Sequence, residues 1–355
     1  MSAAAWAAAS RVLAVRLDAL GDVVMTGAAL RALARPARHV TLLASPAGAA
    51  AARLLPGVDD VLVFEAPWMK ATAARDGAPD RAMIARLAAG RFDAAAIFTV
   101  YSQSPLPAAL LCHLAGIPRR LAHCRENPYQ LLTDWVPEPE PAGGVRHEVR
   151  RQLELLAAVG ITAADDRLAL RVPPAAEQRA AALIDELGLR HPWTVLHPGA
   201  SAPSRRYPHF AEVVRGLDAK GVGVVLTGDR GEASLVRELR AAADVPAPSL
   251  AGRLDVAELT ALLARAPLLV SNNTGPVHLA AAVGTPVVDL YALTNPQHTP
   301  WGVPHRVLSH DVPCKYCYKS VCPAGHHDCL RAIAPAAVVT AALDLLAEVG
   351  AGRVA

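Results

Sequence analysis

The sequence predicts an α/β protein with two parallel, doubly wound sheets, and three observations support this prediction. Two segments, residues 12–30 and 194–217, share one plan, in which a β-branched strand leads through a polar turn into a helix. Strand and helix patterns continue to alternate after each segment. The chain has 355 residues, enough for two domains of ordinary size. Alternating strands and helices connect by crossovers, which favours parallel sheets.

A polar, proline-containing stretch separates the two halves. A helix with one apolar face ends at Gly160, and the polar stretch covers residues 162–174. We therefore predict an N-terminal domain over residues 1–168 and a C-terminal domain over residues 169–334. The last helix, within residues 335–355, has an apolar face that must cover an apolar surface, and the N-terminal domain is one candidate for that surface.

The composition argues against several classes of protein. The chain is 53% hydrophobic, 4% aromatic and 19% charged, which disfavours disorder and an aromatic platform for single-stranded nucleic acid. A formal net charge of +3 is too balanced for phosphate-backbone binding, so we expect no nucleic-acid partner. The sequence has neither a continuous apolar run of bilayer length nor a basic export signal, and the predicted location is the cytoplasm.

Polar residues that follow predicted strands are the first candidates for a ligand site, because open parallel sheets bind ligands at the carboxyl ends of their strands. In the first such turn, Asp22 is either a helix N-cap or a general base, and Asp18 is a second candidate for the base. The turn "LTGDRGE" offers Asp229 or Glu232 to a ribose hydroxyl, although surface loops share this pattern.

The turn "HPGASAPSRRYP" has the composition of a phosphate cradle. Ser201 and Ser204 supply hydroxyls, and Arg205 begins a pair of arginines that can form charge-assisted bonds to phosphate oxygens. The alternative is a solvated basic loop.

The turn "SNNTGPVHLAAAVGTP" gives the strongest signal among these turns. Asn273 and Thr274 precede a helix that Gly275 and Pro276 begin, so free backbone amides and the positive end of the helix dipole are expected at the sheet edge. We predict an anion site here. His278 lies in the first turn of the helix, where it is either a ligand contact or a packed core residue.

A cysteine-rich loop, "CKYCYKSVCPAGHHDC", lies near the end of the chain. Its thiols are those of Cys314, Cys317, Cys322 and Cys329. Four thiols this close suit tetrahedral Zn or Fe in a structural site, and reduced thiols or one local disulfide are the alternatives. The dinucleotide fingerprint, the P-loop lysine motif, the G-x-S-x-G elbow and the H-E-x-x-H pair are missing from the sequence, which disfavours nicotinamide enzymes, NTPases and common hydrolases.

Together these segments give the chain a resemblance to the ADP-heptose:lipopolysaccharide heptosyltransferase family (glycosyltransferase family 9). The resemblance rests on "RLDALGDVVMTGAALRAL", the turn at residues 197–208, the segment at residues 250–288 and the cysteine loop, which is similar to one in the heptosyltransferase II-like branch. The segment at residues 250–288 is the most specific of these. It implies a GT-B fold, in which two Rossmann-like domains face each other across a cleft. The acceptor binds mainly to the first domain and the nucleotide sugar to the second.

The resemblance also implies roles for individual residues. The catalytic base of the family falls on Asp22, and its phosphate-contacting basic residue falls on Arg205. The nucleotide-sugar turn of the family falls on Asn273, Thr274, Gly275 and His278, with Asn273 in place of the Asp found in some members. The other predicted donor-binding residues come from the turns described above: Ser201, Ser204 and Glu232. The implied reaction is an inverting transfer of heptose from ADP-heptose to a hydroxyl of a lipopolysaccharide core or related glycan.

The resemblance implies no catalytic metal and no organic cofactor. A related cysteine cluster binds iron in family members that glycosylate autotransporter proteins, which leaves the acceptor open between glycan, protein and small molecule. A lipid-linked acceptor would require transient contact with the inner membrane. Two further hypotheses are a GT-B transferase with another nucleotide sugar and a non-catalytic protein that binds through its metal loop. The sequence does not define the oligomeric state.

Overall fold

The computed structural model describes residues 3–70 and 72–352, which form two compact units divided after Arg171. This division falls within the predicted polar stretch. Residues 1, 2, 71 and 353–355, which the predicted domains included, lie outside the described residues. Each unit contains one parallel sheet, so the predicted α/β class with two doubly wound sheets is confirmed.

The first unit has a six-stranded parallel sheet within residues 3–70 and 72–171. Its strands are β1 (Arg11–Arg16), β2 (His39–Ala44), β3 (Asp60–Val63), β4 (Ala94–Ile97), β5 (Arg120–Cys124) and β6 (Asp134–Pro137). Its helices are α1 (Ala3–Ala8), α2 (Leu20–Met25), α3 (Gly27–Leu33), α4 (Ala49–Ala52), α5 (Ala78–Ala89), α6 (Leu106–Leu114) and α7 (Glu148–Ala157), with a 3-10 helix at Tyr129–Leu131. The strand order is β3-β2-β1-β4-β5-β6, so the chain changes direction across the sheet between β1 and β4.

The burial of strand β1 shows that both faces of this sheet are covered by other elements. Its residues after Arg11 are buried, and Val12, Leu13 and Ala14 are fully buried. A continuous apolar strand is typical of a parallel sheet with both faces covered. Arg16, the last residue of β1, is charged and equally buried, and it marks the carboxyl edge where β1 and β4 meet. Ligands of doubly wound sheets bind at such a switch point.

The second unit has a five-stranded parallel sheet within residues 172–352. Its strands are β7 (Trp193–His197), β8 (Gly223–Leu226), β9 (Leu269–Asn272), β10 (Val287–Leu290) and β11 (His305–Leu308). Its helices are α8 (Pro174–Glu186), α9 (Phe210–Asp218), α10 (Ala233–Ala243), α11 (Val256–Arg265), α12 (Gly275–Ala282), α13 (Asp328–Arg331) and α14 (Pro335–Gly352), with a 3-10 helix at Pro203–Arg205. The strand order is β11-β10-β9-β7-β8, which places the switch point between β7 and β9.

The last helix, α14, is packed within the second unit. Val338, Ala342 and Leu345 are fully buried in the core that α9 also lines. A Cβ atom at Gly216 would lie 2.7 Å from Val339 Cγ2, so this glycine permits the close approach of α9 and α14. The apolar face that the sequence left without a defined partner is therefore covered by its own unit. Among residues 3–70 and 72–352, no helix is long and apolar enough to cross a membrane.

Candidate functional site

Arg16 is a buried cation surrounded by three carboxylates at the carboxyl edge of the first sheet. Its Nε lies 2.8 Å from Asp18 Oδ2, its Nη1 lies 3.2 Å from Glu148 Oε2, and its Nη2 lies 3.3 Å from Asp22 Oδ1. Burial lowers the pKa of Arg16, but the attraction of these carboxylates outweighs burial and raises the pKa above its ordinary value. Arg16 therefore stays charged and shares one positive charge among three acidic groups.

Asp18 and Glu148 are the more buried acids of this cluster. Burial raises the pKa of Asp18 to about 6, although Arg16 and a hydrogen bond from Gln103 favour the carboxylate. Gln103 Nε2 donates to Asp18 Oδ1 at 2.6 Å and so bridges the turns that follow β1 and β4. Burial also raises the pKa of Glu148, which accepts a hydrogen bond from Gln152 at 2.7 Å.

Asp22 is the most accessible of the three acids. Its side chain is 18% exposed, compared with 8% for Asp18 and 1% for Glu148. It is the third residue of α2, and the N-cap is Ala19, whose backbone N–H donates to Asp22 Oδ2 at 3.2 Å. Asp22 is therefore held by Arg16 and by a backbone amide while part of its carboxylate faces solvent. This geometry suits a base that takes a proton from an arriving hydroxyl.

A cavity of about 370 Å³ lies at the switch point of the first unit. Asp18, Gln103 and Ser104 supply polar atoms to its wall, and Trp68 and Lys70 line it from another segment. Its volume falls within the usual range of small-molecule sites. The structure thus places a cavity beside the acidic cluster, in the unit that the family resemblance assigned to the acceptor.

Sequence reasoning did not identify Arg16, Glu148 or Gln103. Arg16 and Glu148 are 132 residues apart, so no local spacing connects them. One signal was present: Arg16 is a charged residue at the end of an otherwise apolar parallel strand. A buried charge needs partners, and acids near the other strand ends are the obvious candidates.

In the second unit, Asn272 joins the turns that follow β7 and β9. The residue is fully buried, and its Nδ2 donates to Pro198 O at 2.8 Å. Its Oδ1 accepts a hydrogen bond from the backbone of Tyr207 at 2.9 Å. Asn272 thereby fixes both ends of the turn that contains the candidate phosphate-binding residues.

Helix α12 begins where the sequence predicted. Thr274 is its N-cap in an extended conformation, and Gly275 and Pro276 are its first residues. The Thr274 side chain makes no capping hydrogen bond, so the amides of the first turn are not satisfied by that hydroxyl. Asn273 is partly exposed, and His278 is buried in the first turn with 3% of its surface exposed. Backbone amides at this helix start can bind a phosphate oxygen.

The turn after β7 differs in detail from a simple phosphate cradle. Ser204 lies in the 3-10 helix and is buried, and its hydroxyl donates to Lys319 O at 3.0 Å. Ser201 is exposed. Arg205 is partly buried, and its Nε makes no hydrogen bond within the described residues. Ser201 and Arg205 are therefore available to an anion, whereas the Ser204 hydroxyl already has an acceptor.

Glu232 is folded inward against the same turn. Its Oε2 accepts from the backbone N–H of Asp229 at 2.9 Å and lies 3.5 Å from His197 Nε2. Burial lowers the pKa of His197 to about 4 and raises the pKa of Glu232. A Cβ atom at Gly199 would lie 1.9 Å from Glu232 Oε1, so only glycine permits this packing. A ribose contact for Glu232 stays a prediction.

The cysteine loop is bonded to two other segments of the second unit. Ser204 N donates to Ser320 O at 3.3 Å, and the N–H groups of Tyr316 and Tyr318 donate to Leu293 O and Thr294 O at 2.6 and 2.8 Å. The loop therefore holds the turn that follows β7 and the segment that follows β10.

The structure has the four thiols of this loop as free cysteines. Burial raises the pKa of Cys329, and the other three thiols, Cys314, Cys317 and Cys322, raise it further through their negative charge. Burial also raises the pKa of Cys322, but backbone N–H groups of residues 324–327 outweigh it and lower that pKa. Within the described residues, no three His, Cys, Asp or Glu side chains have the spacing to hold a metal ion.

Comparison with known proteins identifies the family. The model of glycosyltransferase family 9 (heptosyltransferase) matches residues 81–327. Lipopolysaccharide heptosyltransferase 3 of Escherichia coli is 30% identical over 152 residues, which cover 41% of this chain and 45% of that protein. The chain spans about half the length, or less, of the first curated relatives that it matches.

Solved structures show the same fold. A family 9 glycosyl transferase from Veillonella parvula has a TM-score of 0.77 at 20% identity and covers 96% of this chain and 97% of its own. The ADP-heptose lps heptosyltransferase II of E. coli has a TM-score of 0.73 at 24% identity, covering 95% and 99%. These likenesses confirm the predicted GT-B class. Because the family model matches more than half of this chain, the chain belongs to glycosyltransferase family 9, the heptosyltransferases.

Proposed function

We propose that the protein transfers heptose from ADP-heptose to a hydroxyl of a lipopolysaccharide core or related glycan, with inversion at the anomeric carbon. Membership of family 9 supports the reaction class, and the relatives are named as lipopolysaccharide heptosyltransferases. The observation that carries the proposal is the position of Asp22, a partly exposed carboxylate held by Arg16 at the switch point of the first unit.

Asp22 acts as the base in this mechanism. It removes the proton of the acceptor hydroxyl as that oxygen attacks the anomeric carbon, and the bond from this carbon to the diphosphate breaks on the opposite face. Arg16 and the Ala19 amide orient the carboxylate. The cavity with Asp18 and Gln103 in its wall offers hydrogen bonds to the acceptor. Acid–base assistance of this kind contributes about 10²- to 10⁴-fold to the rate.

The second unit stabilises the departing diphosphate. Arg205 supplies positive charge, and Ser201 and the amides that begin α12 at Thr274 and Gly275 supply hydrogen bonds. Ser204, which the sequence predicted as a phosphate ligand, has a different role in this mechanism. Its hydroxyl donates to Lys319 O and so connects the turn to the cysteine loop.

Substitution of Asp22 tests the mechanism. Asp22→Asn keeps the shape and removes the base, so we expect unchanged ADP affinity and a loss of turnover of about 10²-fold or more. Asp165→Asn, which alters an exposed ion pair with Arg31 in the same unit, is the matched control. Normal turnover of Asp22→Asn would exclude Asp22 as the base. A thermal shift with UDP or GDP but not with ADP or ADP-heptose would overturn the proposed donor.

We also propose that the cysteine loop holds a structural Zn or Fe ion. Four thiols form a suitable soft donor set, and Cys314 Sγ lies 3.7 Å from His326 Nε2 in the same loop. Because the described side chains do not have the spacing of metal ligands, the loop would have to close around the ion. Cys314, Cys317, Cys322 and Cys329 would hold the ion, which would brace the loop. Elemental analysis of purified protein should find about one metal per chain, and Cys317→Ser should lower that content together with the unfolding temperature. Metal-free protein with wild-type stability would contradict this proposal.

The proposed acceptor suggests a location. We propose that the reaction takes place in the cytoplasm, with transient contact at the inner membrane when the acceptor is lipid-linked. Co-sedimentation with vesicles that contain a lipid-linked core glycan, compared with vesicles that lack it, tests this contact. Equal binding to both, or to neither, would contradict it.

A further inference from the structure

Asp289 is a buried acid next to the candidate donor site, and no cationic side chain among the described residues forms an ion pair with it. It lies in β10 and is fully buried, and burial raises its pKa to about 8. Its Oδ2 accepts a hydrogen bond from Asn273 Nδ2 at 2.9 Å, and its Oδ1 has no hydrogen-bond partner within the described residues. Burying such a group costs stability, so its contact with Asn273 is a candidate for a functional role.

Asn273 has a second acceptor on the same nitrogen. Its Nδ2 also donates to the carbonyl oxygen of His298 at 2.8 Å. A carbonyl oxygen can only accept, so the amide nitrogen must face His298, and the orientation of the Asn273 side chain is defined. Both N–H groups of this amide donate hydrogen bonds, one to Asp289 Oδ2 and one to His298 O. The remaining hydrogen-bonding atom of the side chain is Oδ1.

The position of the His298 carbonyl is itself fixed by neighbouring polar groups. Asn295 Nδ2 lies 2.7 Å from His298 Nδ1, and the hydroxyl of Tyr291 donates to Asn295 O at 2.6 Å. The backbone of Asn273 is held as well, since its N–H donates to Leu290 O at 3.1 Å. The amide of Asn273 is thus supported from β10 and from the segment that follows it.

We infer that Asp289 is a positioning residue that, with the His298 carbonyl, fixes Asn273 as a hydrogen-bond acceptor for a hydroxyl group of the donor. An acceptor-only oxygen repels phosphate oxygens and selects a hydroxyl, which the donor carries on its ribose and on the transferred sugar. This inference rests on the proposed function. It gives Asn273 the hydrogen-bonding capacity of a carboxylate without the negative charge beside the diphosphate.

Calorimetric titration of ADP-heptose and ADP against the whole 355-residue chain tests this inference. Asp289→Leu removes the acceptor for Asn273 Nδ2, and we expect ADP-heptose affinity to fall about three- to tenfold. Asp289→Asn retains an acceptor oxygen and should bind within about twofold of wild type, which also controls for folding. A loss confined to ADP-heptose assigns the hydroxyl to the transferred sugar, and an equal loss for ADP assigns it to the ribose. Unchanged affinity for both ligands in Asp289→Leu overturns the inference.

A double-substitution cycle separates positioning from general damage. Asn273→Ala should weaken binding as Asp289→Leu does, and the double variant should be no weaker than Asn273→Ala alone. Additive losses would show that Asp289 does not act through Asn273, which overturns the inference. Wild-type protein that binds neither ADP-heptose nor ADP would instead reject the proposed function itself.

Discussion

Arg16 provides a sharp test of the electrostatics described above. Arg16→Met keeps the length of the side chain and removes the charge that three carboxylates share. Removing one partner of a buried ion pair costs about 3 to 5 kcal/mol, because the remaining charge stays buried without compensation. For a unit of this size each kcal/mol lowers the unfolding temperature by about 2 to 4 °C, so we expect a decrease of about 6 to 20 °C.

Differential scanning calorimetry at pH 7 measures this change. Arg86→Met, which removes an exposed arginine from α5 in the same unit, is the matched control. If the unfolding temperature of Arg16→Met lies within about 2 °C of that of Arg86→Met, the reasoning is refuted. The three carboxylates would then not need the charge of Arg16 for the stability of the fold. Arg16→Lys keeps the positive charge but lacks the planar guanidinium group. Its unfolding temperature should therefore lie between those of the wild type and Arg16→Met.

The same variant has a predicted pH dependence. In the wild type, the pKa of Asp18 is raised from 3.8 to about 6, so the folded protein binds a proton that the unfolded chain releases in this range. The contribution of Asp18 to stability therefore declines as the pH rises from about 4 to 6. Without Arg16, the pKa values of Asp18 and Glu148 should rise further, so more of these groups are neutral at pH 5. The loss of stability in Arg16→Met should therefore be smaller at pH 5 than at pH 7.

Three further predictions concern the second unit. Gly199→Ala would place a Cβ atom 1.9 Å from Glu232 Oε1 and displace this carboxylate from the Asp229 amide, and we expect a loss of about 0.5 to 1.5 kcal/mol in urea denaturation. The pKa of His197 is lowered from 6.5 to about 4, so unfolding free energy should fall as the pH drops through this range, and His197→Asn should flatten that slope. Ser204→Ala removes the donor to Lys319 O and should cost about 0.5 to 1.5 kcal/mol with little change in ADP affinity, whereas a large loss of ADP affinity would restore Ser204 as a phosphate ligand.

The elements of the fold could be predicted because their signals are local. The strand before Asn273 and the helix that begins at Gly275 follow from apolar runs, a glycine and a proline within a short segment. Asp22 and Arg205 could be proposed because they stand directly after strands or turns of recognisable composition. For these residues, the sequence carries the information within one βα unit.

Contacts between distant segments could not be predicted in this way. The Ser204 hydroxyl meets the Lys319 carbonyl across 115 residues, and Asn273 meets Asp289 on the neighbouring strand. Composition gave Ser204 a phosphate-binding role because a free serine hydroxyl and a committed one look identical in sequence. Arg16 and Glu148 were missed for the same reason, since the sequence does not show that these charged residues are buried together.

The hydrogen bonds between the cysteine loop and its neighbours limit how this protein can be recombined with its relatives. Residues 316, 318, 319 and 320 bond through their backbone to Leu293, Thr294 and Ser204, so the fit depends on loop shape more than on side-chain identity. A chimaera that imports the cysteine loop of another family member would have to import both receiving segments with it. These three stretches should therefore be inherited and exchanged as one block.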